Sequence, residues 1–142
     1  MSQNTEFLNY IYQNSQMGID TINQLNDIVE DPDFSHQLSN QLGEYQQINS
    51  EAISSLHSTG EEEQNIGKVA ELSTYMSIGL KTMANRSPEH ISEMMIEGST
   101  KGVKEVTTKL KKYTEADDST ISLGQRLLKT EQNNIETLKH YL

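Results

Sequence analysis

The chain has 142 residues, of which 33% are hydrophobic and 23% charged, with 2 Pro, 8 Gly and no Cys. That length suits one domain, 1–142, with a buried core, and the absence of Cys excludes disulfides, thiolate metal sites and cysteine nucleophiles. The net charge of −10 is uneven: residues 1–67 carry eleven acids and no Lys or Arg, whereas 68–142 carry ten acids and all eleven bases. Such a balance repels phosphate backbones and argues against a nucleic-acid partner.

The acidic half reads first as a solvated face and second as a docking surface for a cationic protein partner. The first thirty residues hold neither the basic start nor the apolar run of a secretory signal, and no stretch approaches the ~20 apolar residues of a spanning helix. The expectation is a cytoplasmic chain without membrane association.

Apolar residues recur at helical spacing almost from end to end, in five segments. The first is expected over about 5–30, with a stripe of Leu8, Ile11, Ile22, Leu25 and Val29 in which Ser15 and Gly18 leave room for a close neighbour. Asp31-Pro32-Asp33 supplies a cap, a first-turn proline and an acid against the helix dipole. It opens a second helix to about 58, whose buried face is Phe34, Leu38, Leu42, Tyr45, Ile48, Ala52 and Leu56. Gly60 marks its stop.

Glu61, Glu62 and Glu63 suit the first turn of a third, bridging helix to about 84, with Ile66, Val69, Leu72, Tyr75, Met76, Leu80 and Met83 as its apolar set. Ser87-Pro88-Glu89 repeats the cap, proline and acid and starts a fourth helix carrying Ile91, Met95, Gly98, Gly102, Val106 and Leu110. The fifth is expected from about 115 to the end, with Thr114 and Asp117 as a weak capping box and Gly124, Leu128, Glu131, Ile135, Leu138 and Leu142 as its stripe. No strand alternation or nucleotide-binding glycine loop competes. Short connections between long amphipathic helices favour an all-α, up-down bundle of four long helices plus a bridging one.

At 100° per residue, Glu131 falls in mid-stripe, within about 20° of Gly124, Leu138 and Leu142. A carboxylate buried there must find a metal, a base or hydrogen-bond donors, or take up a proton. Glu44 and Glu51 are seven residues apart on the shoulder of the second helix and are the other candidate metal ligands. The four histidines form no His-x3-His pair, and Glu-x-x-His occurs nowhere, although di-iron carboxylate bundles take that motif from two helices. The nearest equivalents are Glu44 with Gln47 and Glu131 with Asn134. No Gly-x-Ser-x-Gly elbow supports hydrolysis.

The run Asp31-Pro32-Asp33-Phe34, the Glu44 to Glu51 spacing, Glu97-Gly98-Ser99 and a last helix with Glu131 to Asn134 resemble the uncharacterised ferritin-like four-helix-bundle domains of bacteria, across nearly the whole chain. The resemblance implies a ferritin-like fold. It also implies a glutamate after the fourth-helix glycine and an inward histidine on the last helix, where this sequence has Ser99 and Asn133 or Asn134. Two functions follow as expectations. One is a non-enzymatic bundle with an interaction or structural role, a degenerate metal site and no cofactor. The other is a carboxylate bundle holding iron or manganese on Glu131 with Glu44 or Glu51, in an oxidase or storage role. A homodimer is a further expectation, since the apolar face of the third segment must be covered.

Overall fold

The computed structural model describes residues 2–64 and 84–142. They form four α-helices: α1 (Gln3–Asn26), α2 (Pro32–Ser58), α3 (Pro88–Lys112) and α4 (Asp118–Leu138), with a closing 3-10 turn at Lys139–Tyr141. Among the described residues there is no strand, and no helix is long and apolar enough to cross a membrane.

Proline-marked starts fall where their chemistry requires. Asp31 accepts a hydrogen bond from the Phe34 amide and Ser87 from the His90 amide, each satisfying one free donor of its first turn for about 1 kcal/mol. The α2 stop also follows expectation. Gly60 takes φ +80°, a left-handed conformation that costs glycine nothing and lets its amide close back on His57.

Three boundaries differ from the sequence reading. α1 begins two residues early because the Ser2 hydroxyl accepts from the Thr5 amide, and it ends at Asn26 rather than 30. α4 begins at Asp118, and the expected capping box is absent: Asp117 makes no side-chain cap bond and Thr114 lies exposed in the preceding turn. That turn is pinned elsewhere, since the Glu115 and Asp117 amides donate to the side chains of Gln3 and Asn4 at 2.9 and 3.0 Å. Glu61, Glu62 and Glu63 are not helical, and Glu63 instead meets His57 at 2.7 Å. The remainder of the expected bridging helix, including Ile66 to Met83, lies outside the described residues.

Contacts fix the helix directions. Asn49 of α2 donates to the Tyr12 carbonyl, the Ser15 hydroxyl and the Gln16 side chain of α1, while Tyr45 covers Gly18, so the two helices are antiparallel. On α4, Gly124 meets Phe7 and Glu131 lies near Asn14 across Gly102, so α4 runs with α1. Since α3 joins α4 by a short turn and its Glu105 meets Tyr10, α3 runs against α1 and parallel to α2. The end of α2 and the start of α3 therefore lie at opposite ends of a bundle about 37 Å long, at 1.5 Å rise for each of the 25 residues of α3.

Phe7, Leu8, Ile11, Leu25, Phe34, Leu38, Ile48, Leu56, Ile91, Val106, Leu127 and Leu138 are fully buried between the helices. The 3-10 turn seals one end, with the Tyr141 ring 4.8 Å from that of Phe34 and its hydroxyl on Asp33 at 2.6 Å. Leu142, placed in the last stripe by spacing, is 60% exposed because the helix has ended before it.

Candidate functional site

The four helices meet around one carboxylate. Glu131 is 4% exposed, in agreement with its mid-stripe position, although the buried face of α4 is centred nearer Leu127 and Asn134 than the spacing suggested. The Tyr45 hydroxyl donates to its Oε2 at 3.0 Å and accepts from Asn134 Nδ2 at 3.2 Å. Ser99 of α3 lines the same pocket, and its hydroxyl favours the charged form of the carboxylate. A chain of neutral donors thus runs from α4 through α2 back to α4, with α3 closing it.

Glycines make the site possible. A Cβ on Gly102 would stand 3.0 Å from Glu131 Oε1, and one on Gly18 would stand 2.7 Å from the Tyr45 ring. Both are tighter than ordinary packing, so the small residues noted at these positions let the carboxylate and the phenol seat against helix backbone.

A second polar pair faces the first. Tyr10 of α1 donates to Glu105 Oε2 at 3.3 Å and accepts from Asn14 Nδ2 at 3.1 Å. Glu105 and Glu131 together line a pocket of about 90 Å³ between α1 and α3, walled by Tyr10, Asn14, Met17, Ile22, Tyr45, Met95 and Ser99. That is room for roughly half a dozen waters, or a ligand of about five non-hydrogen atoms.

The electrostatics follow from this burial. Removal from water raises the Glu131 carboxyl to about 7, with a smaller upward push from Glu105, against the lowering effect of the Ser99 and Tyr45 hydrogen bonds. The same removal, with nearby carboxylates, raises both phenols: Tyr10 beside Glu105 and Tyr45 beside Glu131. Near neutral pH the site therefore holds neutral phenols and a carboxyl poised between its two forms. No Lys or Arg lines it among the described residues; Lys109 sits over the Tyr10 and Tyr113 rings at 5.5 and 5.6 Å from their centroids.

Of the three candidate ligands, the structure buries only Glu131. Glu44 is exposed, and Glu51, also exposed, pairs with the Arg126 guanidinium, which reaches Gln47 at 2.8 Å as well. The α2 shoulder turns toward solvent because Ile48 and Tyr45 already fill the core side. Among the described residues no three His, Asp or Glu side chains gather as a metal site would require. Sequence reasoning missed Tyr10 and Glu105 and took Tyr45 as an apolar residue. Glu105 lies about 60° off Gly102 on the α3 wheel, the same shoulder signal that singled out Glu44, so spacing alone did not separate the two.

No family model, no curated protein and no solved structure matches the chain.

Proposed function

We propose that this chain is a non-enzymatic helical bundle of the ferritin-like kind that works in the cytoplasm by non-covalent binding, its metal site degenerate and the pocket around Glu131 its binding site. One observation carries the reading: the buried Glu131 carboxylate accepts its hydrogen bond from a phenol of the protein itself, Tyr45. The topology supports the ferritin-like part. Parallel α2 and α3 joined across the length of the bundle is the arrangement of such folds, which have one long crossover.

The donor set does not fit a di-metal centre. An amide, Asn134, stands three residues after Glu131 where the imidazole of Glu-x-x-His would be, and its nitrogen donates to Tyr45. Glu44 and Glu51, offered by the sequence as companion ligands, lie on the solvent side. Among the described residues a metal reading survives in one form, with Glu105 and Glu131 as a carboxylate pair, favoured by their sharing the pocket. Elemental analysis of untagged protein purified without chelators separates the two. The expected result is no stoichiometric transition metal and no rise in melting temperature on adding iron or manganese; one metal per chain would overturn the proposal.

A further inference from the structure

The pocket between α1 and α3 has a composition that selects a ligand class. Among the described residues its two charged groups are both acids, its remaining polar groups are phenols, two hydroxyls and amides, and its walls include the thioethers of Met17 and Met95. Glu131 is hydrogen-bonded by a neutral phenol, but among the described residues no Lys or Arg lines the pocket, so its charge when ionised has no counter-charge there, and the aromatic faces beside it favour a cation as well. An anion is repelled there, and a neutral apolar molecule leaves both carboxylates uncompensated.

We infer that this pocket is a binding site for a small primary ammonium ion, held between the Glu131 and Glu105 carboxylates. An ammonium has three N–H donors and no acceptor, and the site offers the matching set. Glu131 Oε2 takes the Tyr45 hydroxyl, while Oε1 seats against Gly102, and the carboxylate lines the pocket. Glu105 accepts from Tyr10 through Oε2 and has a second oxygen. A short alkyl tail then lies along Met17, Ile22 and Met95. The volume of about 90 Å³ suits a tail of a few carbons. The inference rests on the binding reading above and deepens it.

Binding should also depend on pH in a definite direction. The groups facing Glu131 are Tyr10 from α1, Tyr45 from α2 and Glu105 with Ser99 from α3; both phenols are held protonated by their surroundings. Glu131 is then the group whose ionisation creates the site, so affinity rises as pH is raised through about 7.

The test is titration of the full chain with n-butylammonium chloride and, in parallel, with 1-butanol, followed by amide chemical shifts in NMR. Butylammonium should move the amides around Ser99, Gly102 and Glu131, with a Kd on the order of a millimolar. Butanol should be at least about tenfold weaker, and Glu131→Gln should lower butylammonium affinity by about tenfold or more while leaving the circular dichroism unchanged. Glu105→Gln, at a partly buried position outside the core, gives a second reading with a smaller loss. Equal binding of butanol, full affinity in Glu131→Gln, or no binding of butylammonium overturns the ammonium assignment and leaves the metal-free reading standing. Manganese(II) is the control arm. Tight manganese binding that Glu131→Gln abolishes would overturn both.

Discussion

Glu131 carries its cost in a form that pH can reveal. Its folded carboxyl titrates near 7 and its unfolded one near 4.5, so between those values the folded chain binds more protons than the unfolded chain. Stability therefore falls as pH rises across that window, by roughly 3 kcal/mol at about 1.4 kcal/mol per pH unit, and is flat with respect to this group below it. Glu131→Gln removes the penalty while its amide oxygen still accepts from Tyr45. The variant should be more stable than the parent at pH 8 by about 1–3 kcal/mol and lose that advantage at pH 4.5. Urea denaturation at the two pH values checks it, and a parent more stable than the variant at pH 8 would mean that the carboxylate is compensated in the fold.

At the scale of the helices, glycines at different positions should respond in opposite ways to the same substitution. Gly43 in α2 has nothing within 4 Å of where a Cβ would lie, whereas Gly124 in α4 would place one 2.4 Å from the Phe7 ring. Gly43→Ala should stabilise by about 0.5–1 kcal/mol through helix propensity, and Gly124→Ala should destabilise by about 1–3 kcal/mol because the ring has no room to retreat in the core. Thermal melts of the two variants decide it; equal signs would mean that α1 and α4 are not packed as closely as Phe7 requires. These contacts also explain what could be read in advance. The starts of α2 and α3 were legible because Asp31-Pro32 and Ser87-Pro88 act locally, through a side chain on a nearby amide. The start of α4 was not, because Gln3 and Asn4, over a hundred residues away, hold the amides of its leading turn. Burial of Glu131 was legible from the wheel, but its partners were not, since Tyr45, Ser99 and Glu105 reach it only through tertiary packing.

Across the whole molecule, charge is unevenly distributed. The α1–α2 hairpin and its flanks carry eleven acids and no Lys or Arg, and of the cations on the other hairpin Arg126 reaches across to Glu51 and Lys109 to the Tyr10 ring. Exposed acids at such density repel, and at 0.1 M salt the repulsion is screened beyond about 10 Å. The melting temperature should rise between low salt and about 0.15 M sodium chloride; a fall would show that attraction between the hairpins outweighs repulsion within the acidic one. The tyrosine–carboxylate pairs have a different consequence, an optical one. The chain has six Tyr and no Trp, so its ultraviolet emission is phenolic. An excited phenol is a far stronger acid than one in its ground state and is quenched when it can pass its proton to a hydrogen-bonded carboxylate. Tyr45 on Glu131 and Tyr10 on Glu105 are therefore dim when those acids are ionised, and whatever draws either carboxylate away from its tyrosine brightens the protein. The fold thus contains an unlabelled fluorescent reporter at the centre of its pocket.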